Sequence, residues 1–216
     1  PSEAESLILQ VTYGCSLNRC TFCAMYLSKK FKVRPLDEVR KDILKAADPY
    51  VRRVFLADGD AMALSFGKLR EILTLLRENF PALERVGIYS DARGINAKSV
   101  DELKELAGLG LGIAYLGLES GSERVLEAIQ KGCTAVEMIQ AVHKAQEAGI
   151  QTSVIALLGV AGVEGTVEHA RETARVVSQM SPDYFSALTL TLVPGTALAQ
   201  AVHRGEFIPL TPEESL

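Results

Sequence analysis

The sequence predicts an α/β fold in which parallel βα units, repeated six times, curve into a partial TIM-type barrel. Three observations carry this. Short apolar runs of four to seven residues alternate with helical stretches along the whole chain, the pattern of parallel βαβ units. Polar or glycine-rich loops follow the first five strands at their C-terminal ends, where a βα barrel carries its reactive rim. No G-x-G-x-x-G follows the first strand, which weakens a doubly wound dinucleotide-binding sheet.

Taken in order, Leu7–Tyr13 reads as the first strand, ended by Gly14. Pro35 opens a helix to about Ala47, with Val39, Ile43 and Leu44 at helical spacing. Val54–Ala57 is the second strand, broken by Asp58-Gly59-Asp60. Leu69, Ile72, Leu73 and Leu76 mark the second helix, which Pro81 stops. Val86–Ser90 is the third strand, and Ser99 with Glu102 forms a capping box for a helix to Gly108. Ile113–Leu118 is the fourth strand. Helices follow over about 122–131 and 134–148, the latter opened by Thr134 with Glu137 and closed by Gly149. Thr152–Leu158 is the fifth strand, a helix spans about 166–180, and Tyr184–Val193 is the sixth strand.

With 48% hydrophobic and 23% charged residues, the 216 residues suit one globular domain covering 1–216. A net charge of −4 makes no case for a nucleic-acid or anionic-membrane partner. Lys29, Lys30, Lys32 and Arg34 cluster locally and read as a solvated or phosphate-facing loop. No apolar run is long enough for a membrane helix, and a cytoplasmic location is expected. The chain opens on Pro1 and its tail, Leu210–Leu216, reads as the start of a further helix. The expectation is therefore a catalytic core lacking its C-terminal region.

Cys15, Cys20 and Cys23 lie at C-x4-C-x2-C spacing on the loop after the first strand. Crowded thiols in a reducing compartment read as metal ligands rather than a disulfide framework. Structural zinc fills four protein positions. Three thiolates on an iron–sulfur cluster leave one iron open to another ligand. A zinc site, or a non-catalytic iron–sulfur protein acting in electron transfer or binding, is the alternative. Cys133, before the Thr134 cap, reads as a small packing residue. His143, His169 and His203, at single helical positions, are assigned no role.

In these motifs the chain resembles the radical S-adenosylmethionine (radical SAM) superfamily, in particular the subgroup of oxygen-independent coproporphyrinogen oxidases and methylthiotransferases. The family loop is usually C-x3-C-x2-C, so the residue added between Cys15 and Cys20 is a departure; Phe22 matches the family aromatic near the adenine. Asp58, Gly59 and Asp60 stand where the family carries a G-G-E-like stretch touching the methionine amino group; alone they would read as an ordinary turn. Ser90 and Arg93, in Ser90-Asp91-Ala92-Arg93, occupy a position of polar cofactor contacts. Gly117–Ser122 resembles the subgroup's G-hydrophobic-E/Q-S-G-S stretch, and Lys131-Gly132 its downstream basic-glycine pair. By that match Glu119 and Lys131 contact the ribose hydroxyls and the methionine carboxylate. The plainer readings are a structural salt bridge for Glu119 and a helix-end charge for Lys131. Gly159 opens a stretch similar to the family's adenine-packing I-x-G-L-P-G-E-T, with Ala161 in place of proline, and Pro194-Gly195-Thr196 matches P-G-T. The resemblance implies a 4Fe–4S cluster on Cys15, Cys20 and Cys23, bound S-adenosylmethionine, and an electron donor such as flavodoxin or ferredoxin. It also implies a 5′-deoxyadenosyl radical that takes hydrogen from a substrate chosen elsewhere in the protein. These residues carry no second cysteine cluster motif.

Overall fold

Six parallel strands lie side by side in strictly sequential order: β1 (Leu7–Gln10), β2 (Arg53–Ala57), β3 (Arg85–Ser90), β4 (Leu111–Glu119), β5 (Gln151–Leu158) and β6 (Tyr184–Thr189). The computed structural model describes residues 3–211 and 213–214. β1 and β6 are the two edges, so the sheet is an open, partial barrel. A two-residue antiparallel ribbon joins Thr12–Tyr13 to Lys32–Val33 beside it.

The helices are α1 (Leu36–Lys45), α2 (Phe66–Asn79), α3 (Ala92–Asn96), α4 (Val100–Gly108), α5 (Glu123–Ala128), α6 (Ala135–Glu147), α7 (Gly162–Met180) and α8 (Ala197–His203). They pack along the sheet as far as β5, while β6 is exposed along its length. Val54, Leu56, Val86, Ile88, Ala114, Leu116 and Val154 are fully buried on one face, against stripes such as Leu69, Leu73 and Leu76 of α2. Each such side chain contributes on the order of 2 kcal/mol through its removal from water. The opposite face carries the aromatic trio Phe55, Tyr89 and Tyr115, with Phe55–Tyr89 centroids 4.6 Å apart and edge-on. Gly87 makes room for the Phe55 ring, since a Cβ there would stand 2.9 Å from it.

Both expected capping boxes form. Glu102 N–H donates to Ser99 Oγ at 3.1 Å and Ser99 N–H to Glu102 Oε2 at 2.7 Å; Glu137 N–H donates to Thr134 Oγ1 at 3.2 Å and Thr134 N–H to Glu137 Oε2 at 2.8 Å. Several boundaries differ from the sequence reading. The first strand stops at Gln10: Val11 N–H closes the last bridge on the Ala57 carbonyl, and Thr12–Tyr13 pair with Lys32–Val33 instead. α7 starts at Gly162, not near 166, since Ile208 supplies a carbonyl to Val163 N–H at 2.9 Å. β6 ends at Thr189, not Val193. α5 stops at Ala128 in a Schellman turn: Gln130 is left-handed (φ 56°) and Lys131 N–H reaches the Leu126 carbonyl at 2.9 Å. α3 and α8 were not expected. The expected tail helix falls partly outside the described residues; within them, Thr211 and Glu214 exchange capping bonds of 2.8 and 3.2 Å.

Candidate functional site

Because every strand runs the same way, the loops singled out in the sequence gather at one edge of the sheet: Gly14–Cys23 after β1, Asp58–Asp60 after β2, Ser90–Arg93 after β3, Glu119–Ser122 after β4 and Gly159 after β5. The cysteine loop lies across this edge and is tied down on three sides.

The first side is the β2 loop, where the Ala57–Asp58 peptide is cis. Asp58 Oδ2 accepts from Gly14 N–H at 2.8 Å and from the Gln10 amide at 3.3 Å. Asp60, 2% exposed, accepts from the Ser16 hydroxyl and, at 3.2 Å, from Asp91 N–H. Burial holds its carboxyl above the usual carboxylate range, with the Ser16 hydrogen bond working against that shift. Gly59 lies directly under the loop, for a Cβ there would meet Tyr26 at 2.6 Å and Cys15 Cβ at 2.9 Å. The second side is α3. Asp91 caps it by accepting from Arg93 N–H at 3.0 Å, and Arg93 bridges Asp91 (2.7 Å) to Ser16 (3.2 Å). Ser90 is buried and donates to the Asp91 carbonyl at 3.1 Å.

The third side is the end of α5. Thr21 N–H donates to the Ile129 carbonyl at 3.0 Å, and Cys20 Sγ stands 4.0 Å from the Gln130 carbonyl. The Schellman turn aims Lys131 back at the end of β4, where its Nζ pairs with Glu119 Oε1 at 3.1 Å. Their side chains are 11% and 14% exposed. Glu119 is left-handed (φ 62°) at a register shift between β4 and β5, a bulge that swings its carboxylate to the rim. Burial alone would depress the Lys131 ammonium; Glu119, then Cys20, override it and hold it up. α8 adds a further tie, Leu198 N–H donating to the Thr21 carbonyl at 2.9 Å.

All three loop cysteines are free of disulfides and half-buried. Burial pushes the Cys20 thiol up to about 11; Lys131 lowers it, while Glu119, Cys15 and Cys23 raise it further. Among the described residues no three His, Cys, Asp or Glu side chains form a closed metal-ligand group. The fit of a cluster rests on donor chemistry: three soft thiols, free of disulfides, on one short loop. Cys133 is buried, its thiol pushed up to about 12 by burial, and it belongs to the hydrophobic core.

Most of the sequence-predicted residues therefore meet in one network. Phe22 instead packs half-buried against the core. Gly159 (φ 82°) borders Leu190 and Leu210. Glu119 and Lys131 pair with each other. The residues missed were Ser16, Thr21 and His169, and Asp91 entered only as part of the Ser90–Arg93 stretch. His169 is 4% exposed with Nδ1 2.8 Å from Ser120 Oγ, and it secures the Gly121 turn together with Thr173. An i, i+4 pairing of His169 with Thr173 on one helix face was the available signal.

Three comparisons with known proteins agree. The family model described as "Radical SAM superfamily" matches residues 9–177. The tRNA-2-methylthio-N(6)-dimethylallyladenosine synthase of Bordetella petrii is 26% identical over 211 residues, covering 93% of this chain and 43% of that protein. The namesake from Nitrosomonas europaea is 29% identical over 151 residues, 66% of this chain and 34% of that one. The chain thus spans less than half the length of these curated relatives. Coproporphyrinogen III oxidase from Escherichia coli superposes with a TM-score of 0.74 at 19% identity, over 97% of this chain and 49% of that one. A radical S-adenosylmethionine methyltransferase from Kitasatospora setae, with cobalamin and a 4Fe–4S cluster bound, gives 0.74 at 20% identity over 93% and 39%. The family's cofactors are a 4Fe–4S cluster and S-adenosylmethionine. With its fold, its rim and more than half its length matched, the chain belongs to the radical SAM superfamily.

Proposed function

We propose that residues 1–216 form the catalytic core of a cytoplasmic enzyme in which Cys15, Cys20 and Cys23 hold the 4Fe–4S cluster and the surrounding rim holds S-adenosylmethionine. When bound, the two groups would supply hydrogen-abstracting 5′-deoxyadenosyl radical chemistry to a substrate. The chain's own residues do the positioning. Asp60 and Arg93 hold Ser16, and with it the cysteine loop, at a set height over the sheet. Lys131 and Glu119 are a buried cation and carboxylate beside Cys20, placed to take the carboxylate and hydroxyl ends of the cofactor by exchanging partners. Gly159, in a left-handed turn where a Cβ would meet nothing nearer than 3.7 Å, leaves room for the cofactor, while Gly59 lets the β2 loop pack under Cys15, and Phe22 directly precedes Cys23 in the chain. The substrate enters over the Phe55–Tyr89–Tyr115 face of the sheet, where Tyr89 is 44% exposed.

The observation that carries this reading is a short loop with three disulfide-free cysteines, its Cys20 beside the buried Lys131–Glu119 pair, at the C-terminal edge of a parallel sheet. No helix among the described residues is long and apolar enough to cross a membrane. The relatives' names point to methylthio transfer on tRNA, and we propose the wider class, a hydrogen-abstracting oxidoreductase or transferase, for this core. The test is anaerobic reconstitution with iron and sulfide, reduction, and mass spectrometry for 5′-deoxyadenosine. Product that vanishes in Cys20→Ala is expected. A reduced cluster that never cleaves S-adenosylmethionine, in this chain and in a longer form alike, would leave only an iron–sulfur binding protein.

A further inference from the structure

Charge is unevenly spread along the chain. From Ser6 to Leu36 there is no aspartate or glutamate but five cations, Arg19, Lys29, Lys30, Lys32 and Arg34. The whole chain carries −4; removing those +5 leaves −9 on the rest. Arg34 is neutralised by Asp42 at 2.8 Å. Lys29, Lys30 and Lys32 are exposed, and among the described residues none has an ion-pair partner. Beside them Met25 is 75% and Leu27 58% exposed.

This cationic, apolar surface is built against the cysteine loop. Asn18, inside the loop and left-handed (φ 45°), donates from Nδ2 to the Tyr26 and Lys29 carbonyls at 2.9 Å each. The Lys29 ammonium lies 5.9 Å from the Tyr26 ring centroid. Gly14, next to Cys15, fits under the Lys29 and Lys30 carbonyls, which a Cβ would meet at 3.4 Å. The lysines thus ride on the residues that flank the thiols.

We propose that Met25–Lys32 is the docking platform for an acidic one-electron carrier protein. The inference rests on the cluster assignment above: the carrier is oxidised by one electron and the cluster reduced by one. A patch of three lysines around two exposed apolar side chains matches the small, electrostatically steered contacts of transient redox partners. It suits RNA less well, because the nearby rings Phe22, Tyr26 and Phe31 are all half-buried and the Tyr26 ring already has the Lys29 ammonium 5.9 Å from its centroid.

The experiment uses a reduced flavodoxin and a tRNA transcript as probes, with Lys29→Glu/Lys30→Glu and the milder Lys29→Gln/Lys30→Gln. Binding of oxidised flavodoxin to the chain is titrated at low and moderate salt, and cluster reduction is followed with flavodoxin or with dithionite. Flavodoxin affinity and reduction rate are expected to fall about tenfold or more in the Glu variant, less in the Gln variant, and with added salt. Dithionite reduction should persist in both. Unchanged flavodoxin binding in the Glu variant overturns the platform. tRNA binding that is lost in the variants, with no flavodoxin binding, assigns the surface to nucleic acid instead. A chain that dithionite cannot reduce at all sinks the cluster assignment, and the platform with it, and that failure is distinct from a docking failure.

Discussion

At the residue scale the most consequential contact is the Lys131–Glu119 pair. Both side chains are nearly out of water, and Glu119 holds an uncommon left-handed backbone to reach its partner. Removing one member of a buried pair leaves the other charged and unpartnered, at a cost of about 3 kcal/mol or more. Glu119→Ala is therefore expected to lower urea-unfolding stability by that order while Glu119→Gln loses less. Equal, small losses from both would mean that the ammonium finds water or another acceptor. Glu119 and Lys131 could be named from the sequence because G-L-E-S-G-S and K-G are local patterns. That they would bond to each other could not, since twelve residues and a Schellman turn separate them. Ser16, Asp60 and Arg93 make the same point: Arg93 reaches Ser16 across 77 positions, a contact that no short window contains.

At the element scale, strands and capped helices whose signals are local came out close to the expected bounds, as Ser99–Glu102 and Thr134–Glu137 illustrate. Elements whose hydrogen bonds end on distant chain were missed: α8 begins on the Thr21 carbonyl, and α7 gains its first turn from Ile208. α3 is held in a similar way. Lys98, 5% exposed, donates to the Met62 carbonyl at 2.7 Å and the Gly94 carbonyl at 2.9 Å, pinning α3 to the turn after Asp60. Burial pushes its ammonium down to about 8. Between pH 8 and the ordinary lysine value near 10.5, the unfolded chain binds the proton more often than the folded one. Stability from this group therefore rises with pH across that window, by about 3 kcal/mol in full, and is flat below it. The stability difference between the chain and Lys98→Met should follow that curve. A difference independent of pH from 7 to 10.5 would show Lys98 to be solvated.

At the scale of the molecule, the alternation of strands and helices made the open parallel barrel legible, and the direction of the strands made its reactive edge legible with it. What the alternation did not determine was how the cysteine loop sits on that edge, because three different loops and α8 share in holding it. Charge follows the same division: the cysteine-bearing stretch is cationic on an otherwise acidic chain, invisible in the net value of −4. The central claim is that three thiolates hold a cluster with one iron left open. The most direct measurement is iron and sulfide analysis of the anaerobically reconstituted chain, with EPR of the reduced protein before and after S-adenosylmethionine. About four irons and four sulfides per chain are predicted, lost in Cys20→Ala, with a signal that shifts when S-adenosylmethionine is added. Stoichiometric zinc without sulfide, or a cluster signal indifferent to S-adenosylmethionine, would contradict it.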